Sequence, residues 1–194
     1  DDIRAVNPKI IYARGSALGP RGQEANKGGY DMTAFWCRAG TAATITPEGV
    51  DGMVAPPGPA YGDTISGTNL AGGIAAALVK RERTGEPSVV DVSLLGSGLW
   101  ALGHTVALTN HLQQRLVAQP PGVHGSPINP LVGVYRTKDD RYISFVMMQP
   151  TKFWADVCRH IDRADLIDDP RFATAESIAE HTADAVAILG EAIA

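Results

Sequence analysis

The heptapeptide YGDTISG, residues 61–67, begins the longest helical pattern in this chain. Apolar residues follow it at helical spacing, at Leu70, Ile74, Ala77 and Leu78. Thr84 and Gly85 then supply the glycine stop that is typical of a helix C-terminus. Because Asp63 stands immediately before the pattern, we expect this aspartate to be the N-cap of a helix that runs to Thr84.

Short apolar runs on either side of this helix predict strands of a parallel sheet. Residues 7–13, NPKIIYA, are β-branched and aromatic and end before Gly15, and residues 88–95 form a second such run. Glycine and proline recur between residues 15 and 62, which predicts loops with one helix around Asp31 to Arg38. An open sheet needs more than these strands, so we expect the chain to be a piece of a larger protein.

The second half of the chain has a different pattern. A mostly apolar segment from Leu95 to about Leu116 predicts a helix, and a Pro/Gly linker follows from Gln119 to Pro130. Residues 131–136 and 142–148 then alternate like two strands around a charged turn. Pro150 suits the first turn of a further helix that reaches Ile161, and a last helical stretch covers 183–192.

These patterns predict an α/β chain with two domains. Residues 1–118 are expected to form the C-terminal part of a large domain, residues 119–130 a linker, and residues 131–194 a small, incomplete α+β domain. Helices and strands alternate in the first half of the chain, whereas the second half has a hairpin followed by helices. We therefore expect the domain boundary to lie in the linker.

Composition narrows the class of partner. The chain has 194 residues, 44% of them hydrophobic, and a formal net charge of -4, which gives no basic surface for nucleic acid or anionic membrane. Cys37 and Cys158 are far apart and lack metal or redox spacing, and the histidines show no pairing at metal spacing. We therefore expect a cytoplasmic protein without a metal site, whose partner is a small molecule.

Several motifs, in their order and spacing, resemble the CaiB/BaiF family (family III) of CoA transferases, which is related to formyl-CoA transferase and α-methylacyl-CoA racemase. The central block consists of YGDTISG at 61–67, AAAL at 75–78, RERTG at 81–85 and VDVSLL at 90–95. Flanking segments are also similar, namely NPKIIY at 7–12, Gly19-Pro20 with Gly22, and GVYRTKD at 133–139. The resemblance spans nearly the whole chain.

The resemblance implies a fold and a reaction. The implied fold is a Rossmann-like large domain, partial here, with a small α+β domain, in two subunits threaded through each other as an interlocked homodimer. The implied reaction moves CoA from an acyl-CoA donor to a carboxylic acid acceptor, with coenzyme A as substrate and no permanently bound cofactor. By position, Asp63 matches the aspartate that attacks the thioester and then carries CoA as an aspartyl-CoA thioester.

Other residues near Asp63 receive roles from the same resemblance. Gly62 and Gly67 are expected to let the backbone approach the ligand, and amides near Ser66 and Gly67 to stabilise a developing oxyanion. Leu94 aligns with a position near the CoA thiol, although packing in the core beneath the sheet is the alternative.

Two positions separate CoA transfer from racemisation, which needs a base on each face of the α-carbon. Where racemases carry a histidine this chain has Tyr30, a residue type that is a poorer general base than histidine, and where they carry a glutamate it has Gln149, an amide that cannot take a proton. We interpret both as substrate or CoA contacts of a transferase. The alternatives are a packing role for Tyr30 and a strand-to-helix junction at Gln149.

Two other functions stay open at this point. The chain can belong to an α-methylacyl-CoA racemase of the same family, or to a non-catalytic acyl-CoA-binding protein that keeps the fold. Exchange of the α-proton separates the first of these from a transferase, and the effect of replacing Asp63 separates the second.

Overall fold

The computed structural model describes residues 2–119 and 125–194, so that residues 120–124 of the predicted linker lie outside the described part. The chain forms two compact units, Asp1–Ala118 and Gln119–Ala194. The identity of these units as parts of a large and a small enzyme domain stays a prediction.

The first unit is built around two parallel strands and one long helix. Its elements are α1 (Asp2–Val6), β1 (Tyr12–Ser16), a π-helix (Asp31–Arg38), α2 (Thr41–Ile45), α3 (Tyr61–Thr84), β2 (Val89–Ser93), α4 (Leu94–Ala101) and α5 (Gly103–Leu112). The predicted parallel arrangement is confirmed, with Tyr12 opposite Val89 and Ser16 opposite Ser93. The first strand begins at Tyr12 and not at Asn7, because the Asn7 side chain accepts the Lys9 amide in a turn (3.1 Å).

Helix α3 ends as its sequence predicts but begins earlier. Gly85 follows it in the left-handed conformation (φ 73°), and its amide donates to the Arg81 carbonyl. The expectation that Asp63 is the N-cap is wrong, because Ala60 occupies that position (φ 57°) and Asp63 is the third residue of the helix. Two residues before Asp63 therefore already belong to the first turn.

The predicted single helix from Leu95 to Leu116 is two helices. Helix α4 ends at Ala101, and Leu102 has non-helical dihedral angles (φ -91°, ψ 6°) before α5 begins at Gly103. A close contact fixes α4, since a Cβ atom on Gly98 would lie 2.5 Å from the Ala39 Cβ atom. The core of this unit contains Phe35, Trp36 and Ala42, with Ile65 and Leu94 packed against them.

The second unit contains an antiparallel hairpin and several helices. Its elements are β3 (Val132–Arg136), β4 (Tyr142–Val146), α6 (Pro150–His160), 3₁₀ turns at Ala164–Leu166 and Pro170–Phe172, α7 (Ala175–Glu180) and α8 (Thr182–Ile193). The predicted hairpin and the helix from Pro150 are confirmed, whereas α7 was not predicted. Buried core residues include Leu131, Trp154, Cys158, Phe172, Ile178 and Leu189. Burial raises the pKa of the Tyr135 phenol, which donates to the Pro130 carbonyl (2.6 Å).

The described residues offer no metal site and no membrane span. No group of three or more His, Cys, Asp or Glu side chains in residues 2–119 and 125–194 could hold a metal ion. Among the same residues, no helix is long and apolar enough to cross a bilayer. Both cysteines are free, with Cys37 exposed and Cys158 buried, and burial raises the pKa of the Cys158 thiol to about 11.

Candidate active site

A cavity of about 390 Å³ lies where both parallel strands end. Gly15, Ser16 and Ala17 line it from the end of β1, and Val92 and Leu94 line it from the end of β2. In open α/β sheets, ligands bind in the crevice outside the carboxyl ends of the strands. The position of the cavity therefore makes it the candidate active site of this unit.

Helix α3 forms another wall of the cavity with one face. The residues that it contributes are Asp63, Ser66, Gly67 and Leu70, and Gly29 lines the cavity from the loop before the π-helix. The α3 positions follow the pattern i, i+3, i+4 and i+7, which places side chains above one another on a helix. One turn of helix thus brings a carboxylate, a hydroxyl and a glycine to the same wall.

Asp63 lies in the first turn of α3, where the free amides and the helix dipole stabilise a negative charge. The residue is exposed, and its carboxylate has no hydrogen bond or ion pair with the described part of the chain. It is also the only ionisable side chain among the described residues that line the cavity. An unpaired carboxylate in such a position is available to a ligand.

Gly62 does not line the cavity but faces the π-helix. A Cβ atom at this position would lie 2.2 Å from the Phe35 Cγ atom and 2.4 Å from the Asp31 Oδ1 atom. The Gly62 amide donates to the same Asp31 oxygen (3.0 Å). The structure thus gives Gly62 a packing role, while its approach to the ligand stays a prediction, and Asp31 supplies the cap that Ala60 does not provide.

Replacing Asp31 with alanine is expected to lower the free energy of unfolding by about 1 kcal/mol, the usual effect of losing a helix cap. Asp31→Asn keeps an oxygen acceptor and should retain most of that stability. Chemical denaturation of both variants measures the difference. Equal unfolding free energies for wild type and Asp31→Ala would show that the bond to Gly62 does not hold α3.

The predicted oxyanion amides are not available. Ser66 and Gly67 lie inside α3, where each amide donates to the carbonyl four residues earlier. That prediction assumed that the helix begins at Asp63 and leaves these amides near its free end. Gly67 nevertheless lines the cavity, and among the described residues outside the backbone of α3 and its chain neighbours, no atom lies within 4 Å of the position where its Cβ atom would be.

The remaining predicted site residues lie in three different places. Leu94 is the first residue of α4 and lines the cavity, while it also packs against the core. Tyr30 is 82% exposed and does not line the cavity, although its neighbour Gly29 does. Gln149 belongs to the second unit and directly precedes α6, which agrees with its alternative role at a strand-to-helix junction. Contacts of Tyr30 and Gln149 with a ligand stay predictions.

Several residues that line the cavity were not predicted as site residues, and Ser66 is one whose side chain received no role. The Ser66 hydroxyl is buried and has no hydrogen-bond partner among the described residues. Its spacing of three residues from Asp63 is the signal in the sequence that points to it.

The comparisons with known proteins identify the family. The model of "CoA-transferase family III" matches residues 1–194. The (R)-2-hydroxy-4-methylpentanoate CoA-transferase of Clostridioides difficile is 28% identical over 193 residues, which cover 100% of this chain and 47% of that protein. The chain thus spans about half the length of such relatives.

Solved structures agree with the sequence comparison. The crystal structure of Rv3272 from Mycobacterium tuberculosis superimposes with a TM-score of 0.74 at 32% identity, covering 100% of this chain and 49% of that one. A CaiB/BaiF family protein from Brucella suis has the same fold, with a TM-score of 0.76 at 21% identity over 98% of this chain and 48% of its own. The resemblance carried by the motifs is confirmed, and the chain belongs to CoA-transferase family III.

Proposed function

We propose that the protein carrying this chain transfers CoA from an acyl-CoA donor to a free carboxylic acid, with Asp63 as the nucleophile. The observation that carries the proposal is the unpaired Asp63 carboxylate at the first turn of α3, beside the cavity at the strand ends. Relatives named as CoA-transferases support the same reaction class. Coenzyme A and its thioesters are the substrates, and no permanently bound cofactor is needed.

The first half of the reaction loads CoA onto Asp63. A carboxylate oxygen of Asp63 attacks the thioester carbonyl, a C–O bond forms, and the C–S bond breaks as CoA thiolate leaves with the electron pair. The thiolate then attacks the Asp63 side-chain carbon of the mixed anhydride. A C–S bond forms there, and the donor acid leaves as its carboxylate, taking one oxygen atom that had belonged to Asp63.

The second half repeats these steps with the acceptor. The acceptor carboxylate attacks the aspartyl-CoA thioester, so that a second anhydride forms and CoA thiolate leaves again. The thiolate attacks the acceptor acyl carbon, and the new acyl-CoA departs. Asp63 is regenerated with one oxygen atom from the acceptor acid, and no proton or redox equivalent is consumed.

The lining of the cavity suits this sequence of adducts. Gly15, Ala17, Gly29 and Gly67 present little or no side chain, which leaves space for an acyl group and a thioester beside Asp63. The cavity wall described here also lacks a second ionisable group, whereas racemisation needs two bases. The lack of a second ionisable group supports CoA transfer over racemisation.

Some parts of the proposal concern the whole protein. We infer from the family resemblance that it is an interlocked homodimer in the cytoplasm, and that the first unit belongs to a Rossmann-like large domain. Exposed apolar side chains, such as Trp100 (80% exposed), support the inference that another subunit or further parts of the protein cover this unit. Size-exclusion chromatography with light scattering tests the dimer.

Oxygen exchange tests the mechanism directly. The intact protein is incubated with acyl-CoA and an acceptor acid labelled with ¹⁸O in its carboxylate, then digested with trypsin and analysed by mass spectrometry. The mechanism predicts ¹⁸O in the Asp63 side chain after turnover, because each cycle leaves one acceptor oxygen there. Residues 28–38, which contain Asp31, form a separate tryptic peptide and should stay unlabelled. Product formation without label at Asp63 would exclude Asp63 as the nucleophile.

A further inference from the structure

Ser66 carries an unpartnered polar atom in the wall of the cavity. The residue is 8% exposed, and its hydroxyl oxygen is the only buried side-chain oxygen or nitrogen in the described residues that lacks a hydrogen-bond partner. Other buried polar side chains are satisfied: Thr41 donates to the Phe35 carbonyl (3.2 Å), and Ser97 accepts from Asn69 (3.1 Å). A buried hydroxyl without a partner is unfavourable by about 1–3 kcal/mol, so its presence calls for a reason.

Helix α3 offers Ser66 an ordinary partner that it does not use. Hydroxyl groups inside a helix commonly donate to the carbonyl four residues earlier. On the same helix, Thr64 donates to Ala60 (2.9 Å) and Thr68 to Thr64 (3.1 Å) in this way. The Ser66 hydroxyl makes no such bond, so its proton is available to another acceptor.

The position of Ser66 indicates what that acceptor is. Ser66 and Asp63 are one helical turn apart and line the same cavity, and residues at this spacing have Cβ atoms about 5–6 Å apart. We propose that the Ser66 hydroxyl is a catalytic hydrogen-bond donor to the oxygen on the Asp63 side-chain carbon when sulfur or an acceptor carboxylate adds to that carbon. The inference rests on the proposed function of Asp63 as the nucleophile.

The proposed chemistry places negative charge on Asp63, one helical turn from this donor. When CoA thiolate adds to the Asp63 carbon of the anhydride, a C–S bond forms and the carbonyl electron pair moves onto the Asp63 oxygen. Ser66 donates a hydrogen bond to this oxyanion without losing its proton. When the adduct collapses, the C=O bond reforms and the donor carboxylate leaves with its electron pair. Since the α3 amides at this level are engaged within the helix, the hydroxyl replaces the amide donor that the sequence predicted.

Ser66→Ala in the intact protein tests this role. We expect kcat to fall about 10- to 100-fold, the range for a lost hydrogen bond to a charged group, with both KM values nearly unchanged. The melting temperature should stay the same or rise, because the deleted hydroxyl has no partner in the part of the chain that the structure describes. Rapid-quench experiments should show slower formation of aspartyl-CoA in a single turnover.

Thr68→Val is the matched control, because it removes a hydroxyl that is bonded to Thr64 and lies outside the cavity. Its activity should stay within about twofold of wild type. Wild-type activity in Ser66→Ala would overturn the proposal, as would a loss of activity that follows a lowered melting temperature. Incorporation of ¹⁸O from the acceptor acid into Asp63 of the wild type, measured in parallel, separates the role of Ser66 from the role of Asp63 as the nucleophile. If Asp63 is labelled and Ser66→Ala is fully active, only the role of Ser66 is refuted.

Discussion

Asp63→Asn is expected to lower the rate of CoA transfer by at least about 10³-fold, because the amide cannot form the anhydride on which both halves of the reaction depend. Asp63→Ala should show a loss of the same size. Initial rates of acyl-CoA product formation, measured by liquid chromatography and mass spectrometry with the intact protein, provide the test. A residual rate above about one tenth of wild type would contradict the covalent mechanism.

The loss of activity in the Asp63 variants should come from the chemical step and not from unfolding. Asp63 makes no hydrogen bond or ion pair within the described residues, so replacing it should cost no more than its interaction with the helix dipole, about 0.3–1 kcal/mol. Glu82→Gln is the matched control, because Glu82 is an exposed acid on the same helix that pairs only with its neighbour Arg81. We expect nearly full activity from this variant. If Asp63→Ala transferred CoA normally, the alternative of a non-catalytic Asp63 would have to be adopted.

The end of α3 and the start of α6 could be predicted from sequence, because single residues determine them locally. Gly85 ends α3 and Pro150 begins α6, since each residue has a backbone preference that few neighbours can override. The division of the apolar segment 95–116 at Leu102 was not predicted, nor was the close contact of Gly98 in α4 with Ala39 and Phe35. Tertiary contacts of that kind leave no periodic signal in one chain.

The candidate site was predictable to a similar degree. Motif resemblance led to Asp63 and Leu94, and the structure places both at one cavity. The start of α3 was misplaced because its cap comes from Asp31, a residue 31 positions away that reaches the Gly62 amide. The free hydroxyl of Ser66 could not be predicted either, since a serine in a helix ordinarily bonds to its own backbone.

The π-helix and α3 together explain why Asp63 is held in a fixed place. Asp31 accepts the Gly62 amide, and Tyr61 contacts the rings of Phe35 and Trp36 edge-on, with ring centroids 6.2 and 6.1 Å away. These contacts anchor the two residues that precede Asp63, while Asp63 itself stays unpaired. A nucleophile that must form and break bonds to its own carboxylate benefits from an anchored backbone and an unengaged side chain.

Gly62→Ala should therefore have the largest effect on stability among substitutions near the site. The added methyl group would lie 2.2 Å from the Phe35 Cγ atom and 2.6 Å from the Phe35 Cβ atom, both of them in the buried core. Phe35 is 1% exposed and close-packed in the core, so we expect the first turn of α3 to shift. We expect the free energy of unfolding to fall by at least about 2–3 kcal/mol, and CoA transfer to fall with it.

The matched substitution Gly72→Ala lies in the same helix, where, apart from its chain neighbours and the backbone of α3 itself, no atom of the described residues comes within 4 Å of the new methyl group. Because alanine has a higher helix propensity than glycine, the free energy of unfolding of this variant should rise by up to about 1 kcal/mol. Denaturant unfolding of both variants gives the comparison. The change in the free energy of unfolding should have opposite signs in the two variants, since steric conflict dominates at position 62 and helix propensity at position 72. If both glycines tolerated alanine equally, the packing of α3 against the π-helix would not be what positions Asp63.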